Sequence, residues 1–173
     1  MEHRLAQRRM LICAAFFSFG TCSGALTVVR LSEAAAERAF SGIAAFFSQQ
    51  PMLRVPAAAI LVVLLLLLGG PGVAGICTLC LLLSSVGFFG GFIACLAVRA
   101  GCFSAFSFAF FALFAVCVLQ MGSGILRRAS APMHPSRGKP GKTDFRYELP
   151  RVACAAAVLL LTSACLAYYL LNR

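Results

Sequence analysis

The sequence predicts an all-α fold, a polytopic integral membrane helix bundle with about five transmembrane helices and one short extracytoplasmic amphipathic helix. Two observations lead to this fold class. Hydrophobic residues make up 61% of the 173-residue chain and charged residues only 12%, and the mean hydropathy is +0.94. A soluble domain of this composition would leave too much apolar surface in water. Long uncharged stretches also alternate with short segments that hold the charges, which predicts a single transmembrane domain, residues 1–173.

The longest uncharged stretch is residues 55–98. One unbroken helix of that length would reach about 66 Å, roughly twice the 30 Å core of a bilayer. The stretch is therefore expected to cross twice, as spans 53–69 and 72–98. The break falls in the Gly-Gly-Pro-Gly sequence at 69–72, where glycine and proline weaken helix continuity.

Three further uncharged stretches predict spans 10–29, 103–126 and 152–171. The first could instead be a cleaved signal peptide, but its apolar run exceeds the usual 7–15 residues. Gly20 and Gly24 also stand four apart in it, a spacing that suits a retained, packed helix. We therefore expect a retained first span.

Small residues predict where the spans pack against one another, because a helix face without side chains lets a second helix approach closely. Gly87 and Gly91 repeat the four-residue spacing of the first span. Gln120 is the one strongly polar side chain near the end of the fourth span, where it is expected to bond a neighbouring helix. The predicted helix-packing residues are Gly20, Gly24, Gly70, Gly75, Gly87, Gly91 and Gln120.

An amphipathic helix is predicted over residues 33–48, with Ser32 positioned to cap it. Apolar residues recur along one face at steps of four, three and four, and Glu33 and Glu37 fall on another face. That apolar face consists of Ala36, Phe40, Ile43 and Phe47. The face has two interpretations: it lies on the bilayer surface, or it docks a helix of another protein.

Basic residues predict the topology. Residues 127–151 are rich in proline, glycine and positive charge, which is typical of a flexible polar loop. With the N-terminus in the cytoplasm, this loop and the N-terminal segment place ten of the fifteen Lys and Arg residues inside, as the positive-inside rule requires. The prediction is a multi-pass protein of the cytoplasmic membrane with an extracytoplasmic C-terminus and the amphipathic helix outside.

No motif predicts chemistry. The five acidic residues are scattered outside the spans, so no intramembrane carboxylate is available for a proton or ion site. The Cys77-x-x-Cys80 spacing has no histidine or carboxylate nearby, and an odd number of cysteines in apolar segments favours packing over disulfides. The net charge of +10 is not gathered in a basic domain with interleaved aromatics, so nucleic-acid binding is not expected. We expect no catalytic residue, metal or cofactor.

Two classes of function fit a chain without a set of catalytic residues. One is a scaffold that holds other proteins at the membrane. The other is a small-solute transporter or a membrane subunit of one. Carriers usually have interrupted, polar helices at the midplane, whereas residues 69–75 interrupt a helix without polar content. The sequence therefore favours a scaffold.

The order of these features resembles the stage II sporulation protein M family of endospore-forming bacteria. The resemblance covers nearly the whole chain and includes Leu68-Gly69-Gly70, Gly75, the Gly87 and Gly91 pair, Gln120, and Phe145-Arg146-Tyr147 before the last span. The chain departs from the family where leucines replace an aromatic residue before Gly69, where Val86 replaces a basic residue, and where Leu119 and Met121 flank Gln120.

The resemblance implies a non-enzymatic anchor for a peptidoglycan-degrading complex at the sporulation septum, active in forespore engulfment. The partners it implies are the bilayer and wall hydrolases, including stage II sporulation proteins D and P. Those hydrolases would dock on the apolar face of the outer helix. A membrane protein of the same broad superfamily without a sporulation role is a further possibility.

Overall fold

The computed structural model describes residues 2–68, 72–102, 105–129, 150, 152–163 and 166, and within these ranges all regular structure is helical. The six helices in chain order are α1 (Glu2–Arg30), α2 (Glu33–Gln49), α3 (Pro51–Leu67), α4 (Gly72–Arg99), α5 (Ala105–Ala129) and α6 (Val152–Ser163). The predicted all-helical class is confirmed for this part of the chain.

Within the described part of the chain, three segments are long and apolar enough to cross a bilayer: Leu5–Arg30, Gly72–Arg99 and Ser107–Arg127. A fourth arises if α2 and α3, which meet at a bend of 108°, are counted as one broken span. The chain is therefore a multi-pass membrane protein. α3 has 17 residues and is about 26 Å long, slightly less than a bilayer core, and α6 is a shorter apolar helix.

Three predicted features lie partly outside the described residues: the break between the second and third spans, the basic loop, and the last span. α3 ends at Leu67, and α4 begins at Gly72 with a φ of 84°, so the chain breaks where the Gly-Gly-Pro-Gly sequence predicts. Residues 69–71 themselves lie outside the described residues, as does most of the predicted basic loop 127–151. The predicted last span 152–171 is described only over 152–163 and at residue 166.

α1 and α4 run parallel to each other. Gly20 of α1 faces the backbone of Ser84 and Phe88, and Gly24, one turn later, faces that of Phe88 and Phe92. The residue numbers of the contacting positions therefore increase in the same direction along both helices, as they do in a parallel pair. If both helices cross the bilayer, the chain between them must return to the side where α1 begins, and α2 with α3 is the segment available for that return.

α5 runs antiparallel to α4. α4 ends in a tight turn in which the N–H of Cys102 donates to the carbonyl of Ala97 and that of Gly101 to Val98, at 2.9 and 3.0 Å. These two hydrogen bonds, together with a φ of 69° at Gly101, form the Schellman motif that commonly ends helices. The turn sends α5 back along α4.

The core lies where α1, α3, α4 and α5 meet. Its buried side chains include Cys13, Phe17, Leu66, Leu79, Leu83, Val118 and Met121. A smaller cluster of Ala59, Cys117 and Leu159 joins α3, α5 and α6. A third cluster, at the C-terminal ends of α1 and α4, receives α2.

Candidate functional site: a backbone seam and the helix that rests on its end

The contact between α1 and α4, here called the seam, is made by backbone against backbone. A β-carbon added at Gly20 would lie 2.9 Å from the amide nitrogen of Phe88, and one at Gly24 would lie 2.9 Å from that of Phe92. Real β-carbons essentially never approach heavy atoms under 3.0 Å. Only glycine permits this approach at either position.

The seam is reciprocal, because α4 presents glycines to the backbone of α1. A β-carbon at Gly87 would lie 3.1 Å from the carbonyl carbon of Phe17 and closer still to its oxygen. One at Gly91 would lie 2.8 Å from the Cα of Thr21. The structure thus brings together two of the predicted glycine pairs, Gly20 with Gly24 and Gly87 with Gly91, as the two faces of one contact.

Polar groups along the seam find partners inside the chain. The hydroxyl of Thr21 donates to the carbonyl of Phe17 at 2.9 Å, a bond within the helix that satisfies it away from water. Arg99 donates through Nη1 to the carbonyls of Val28 and Leu31, both at 3.0 Å. The last carbonyls of a helix have no partner within it, so Arg99 caps α1 from the end of α4.

The other predicted packing residues lie in different surroundings. Gly75 is buried in α4, and Gly70 lies outside the described residues. The side chain of Gln120 is exposed on α5 and, within the described ranges, makes no hydrogen bond to another helix. Helix periodicity turns Met121, and not Gln120, into the core, and the bond of Gln120 to a neighbouring helix stays a prediction.

Sequence reasoning missed two close approaches. A β-carbon at Gly90 would lie 3.0 Å from the ring of Phe111, and one at Gly122 would lie 3.1 Å from Leu83 and 3.5 Å from the sulfur of Cys13. Gly122 therefore lies where α1, α4 and α5 meet. The sign of it in the sequence is the run of small residues Gly-Ser-Gly at 122–124 within an apolar span.

α2 forms as predicted and packs on one end of the seam. Ala36 is 4% exposed and lies in a cluster with Val28 of α1 and Leu96 of α4. Phe40 and Ile43 are partly buried against the same cluster. The face predicted to dock another protein therefore contacts this chain's own helices, and a partner cannot reach Ala36 in this conformation.

α2 begins without the predicted side-chain cap. Ser32 occupies the N-cap position, but its hydroxyl makes no capping bond. Its backbone carbonyl instead accepts from the N–H groups of Ala35 and Ala36, at 3.1 and 2.9 Å. α2 ends at Gln49, before Pro51, which stands at the start of α3.

An apolar groove of about 220 Å³ remains between α2 and α4. We call it the α2–α4 groove; it is lined by Phe40, Ile43, Ala44, Phe47, Ser48, Ile93 and Leu96. At the bend between α2 and α3, Arg54 of α3 donates through Nη1 to the carbonyl of Phe46. Its guanidinium lies 4.4 Å from the centre of the Phe46 ring. The rings of Phe46 and Phe47 meet edge to face.

The eight described cysteines are all free. Within the described ranges, no group of three His, Cys, Asp or Glu side chains is placed to hold a metal ion. No protein-family model matches the chain, and neither a curated protein nor a solved structure shows significant similarity to it. The stage II sporulation protein M resemblance therefore depends on the residue pattern alone.

Proposed function

We propose that the chain is a non-enzymatic membrane scaffold that anchors other proteins at the bilayer. The observation that supports this most directly is the seam, in which Gly20, Gly24, Gly87 and Gly91 bring two helix backbones into contact. A contact with no side chains between the helices leaves little room for sliding or opening. A rigid helix pair provides a fixed framework that is suited to holding partners.

We further propose five spans, with the N-terminus in the cytoplasm and the C-terminus and α2 outside. The parallel course of α1 and α4 supports an odd number of crossings between them, which α2 with α3 would supply. The antiparallel α5 and the apolar α6 then add the fourth and fifth. The distribution of basic residues supports the orientation.

The resemblance to stage II sporulation protein M gives the scaffold a more specific role. We propose that it anchors a septal peptidoglycan-degrading complex, including stage II sporulation proteins D and P, during forespore engulfment. Because the apolar face of α2 packs on α1 and α4, we assign the docking surface to its exposed polar face. That face carries Glu33, Glu37 and Arg38.

Co-purification of the tagged chain with these wall hydrolases from sporulating cells tests the role. The double variant Glu33→Lys with Glu37→Lys should reduce their recovery, while Gln49→Lys, a charge change at the exposed end of the same helix, should leave it unchanged. Equal recovery from both variants would reject the polar face as the docking surface. Normal engulfment in a deletion strain, with no hydrolase recovered, would reject the sporulation role.

The alternative is a small-solute transporter or a subunit of one, and the feature that favours it is that α3 ends at Leu67 and a separate helix begins at Gly72. Carriers bind substrate where broken helices meet near the midplane. Gly72 is the first residue of α4, and Gly87 near the middle of that helix lies 15 residues later, about 22 Å away. The break therefore lies at one end of the bundle, which favours the scaffold. Solute uptake by proteoliposomes that contain the purified chain would favour the transporter over the scaffold.

A further inference from the structure

The α2–α4 groove lies beside the C-terminal end of α4, where a helix of this length would pass from the bilayer core to the headgroups. Ile93 and Leu96, two of its lining residues, belong to the last two turns of a membrane-spanning helix. Ile93 is 41% exposed. Phe40 and Phe47 close the groove from α2, and both are only partly buried. Apolar surface at this depth is in contact with the upper part of lipid acyl chains.

A positive charge contacts a residue next to the groove lining. Arg54 contacts Phe46, the neighbour of the groove residue Phe47. A guanidinium has five N–H donors, and Arg54 donates from Nη1 to one protein carbonyl. Among the described residues, no carboxylate pairs with Arg54.

These contacts also hold the guanidinium in place. The ring of Phe46 lies 4.4 Å beneath it, and the bond to the Phe46 carbonyl restricts its rotation. A planar guanidinium that is already oriented loses little side-chain entropy when it binds a phosphate with its remaining donors. The region where α2 meets α3 thus combines an apolar groove with an oriented guanidinium in the first turn of α3.

We propose that the α2–α4 groove is a lipid site, which holds an acyl chain of an anionic phospholipid while Arg54 binds its phosphate. The occupant is argued from charge complementarity and from the membrane depth of the groove. The site depends on neither the direction of insertion nor the proposed scaffold role. A lipid held here would seal the contact between α2 and the seam.

The chain contains no tryptophan, so one introduced tryptophan reports on a single place. Phe47→Trp places the probe in the groove, and the full chain is reconstituted in vesicles of phosphatidylcholine with increasing dibrominated phosphatidylglycerol or dibrominated phosphatidylcholine. Bromine quenches the probe only where the lipid is in contact with it. Phe108→Trp is the matched control, because Phe108 is 63% exposed on α5 and the approach of Gly90 to Phe111 on the antiparallel helix places it near the depth of Ile93.

At position 47 we expect half-maximal quenching at about a fivefold lower fraction of brominated phosphatidylglycerol than of brominated phosphatidylcholine, the effect of about one well-placed basic side chain. Arg54→Gln in that background should remove the preference, and Arg54→Lys should retain part of it. Position 108 should show no preference. Equal quenching by both lipids at position 47, or a preference that Arg54→Gln leaves unchanged, would overturn the proposal. Shielding of position 47 from both lipids would show that protein fills the groove and would overturn it equally.

Discussion

A β-carbon placed on Gly91 would lie 2.8 Å from the Cα of Thr21, a residue seventy positions earlier in the chain. Within a bilayer, association of helices depends on close packing, because lipid tails are as apolar as the side chains they contact. The absence of side chains at Gly91 and its three seam partners therefore provides the packing that joins α1 to α4. Substitutions at the seam test this directly.

Gly91→Ala should lower the free energy of unfolding by about 1–3 kcal/mol, the usual cost of overpacking a close contact. The new methyl group would meet backbone atoms of Thr21, which cannot move aside as a flexible side chain can. Thermal unfolding of the purified chain in detergent, followed by circular dichroism, measures the loss.

Gly42→Ala is the matched control for this substitution. Gly42 lies within α2, and a β-carbon there meets nothing within 4 Å. Alanine is the better helix former by about 1 kcal/mol, so this variant should unfold at the same temperature as the original chain or slightly above it. If Gly91→Ala and Gly42→Ala unfold alike, the seam is not the close contact described here.

Arg99→Ala should loosen the last turn of α1. The change leaves the carbonyls of Val28 and Leu31 without the donor that they share, and the amide of Leu31, which bonds to Val28 at 3.1 Å, reports on that turn. A hydrogen bond from a charged donor contributes about 1.5 kcal/mol at the low end of its range. We therefore expect exchange of the Leu31 amide to rise about tenfold in hydrogen–deuterium exchange.

Arg30→Ala provides the comparison, because Arg30 is an exposed arginine at the end of the same helix. It should leave the exchange of the Leu31 amide close to its original rate. Unchanged protection in Arg99→Ala would contradict the capping role. Equal increases in both variants would show that positive charge near the helix end, and not the two specific bonds, protects the turn.

The sequence predicts which faces of α1 and α4 carry glycines in place of side chains, but it does not predict that these two faces pack against each other. The spacing of Gly20 with Gly24, and of Gly87 with Gly91, identifies two faces that any helix could approach. Choosing the partner requires the direction of each helix and the tertiary contacts of the segment between them. Gly122 shows the same limit, since its role depends on three helices that converge on it.

α2 shows how a face can be predicted correctly while its contact is not. The periodicity of Ala36, Phe40 and Ile43 predicts an apolar face, and the structure has that face. Periodicity carries no information about the surface that receives this face, which here is formed by Val28, just before α2 in the chain, and Leu96, sixty residues after Ala36. Gln120 illustrates the converse, because a polar side chain near the end of a span can satisfy itself at the surface as well as between helices.

Gly101→Ala should cost about 1–2 kcal/mol of stability for a different reason from the seam variants. Gly101 has a φ of 69°, and a β-carbon there meets nothing within 4 Å, so the cost is the left-handed backbone conformation alone. Gly101→Asn should cost less, because asparagine tolerates this conformation better than alanine does. Thermal unfolding in detergent ranks the variants. A ranking with asparagine below alanine would contradict the Schellman turn.

The parallel course of α1 and α4 predicts that Ser32, just after α1, and Cys102, just after α4, lie on the same side of the membrane. Three variants are needed, each with a single cysteine: the native Cys102, Ser32→Cys or His134→Cys. Each variant is treated in intact cells with a membrane-impermeant maleimide. Both Ser32 and Cys102 are exposed. We expect labelling at positions 32 and 102 without permeabilisation, and at position 134 only after it.

Each outcome of this labelling tests a different step of the topology. Labelling of positions 32 and 102 from opposite sides would contradict the parallel arrangement, whatever the orientation of the chain. Labelling of position 134 together with the other two would show that α5 does not return across the bilayer. Agreement of all three positions, but with the two sides exchanged, would preserve the helix arrangement and reverse the insertion. In that case the polar face of α2 would lie in the cytoplasm, where it could not meet hydrolases of the cell wall.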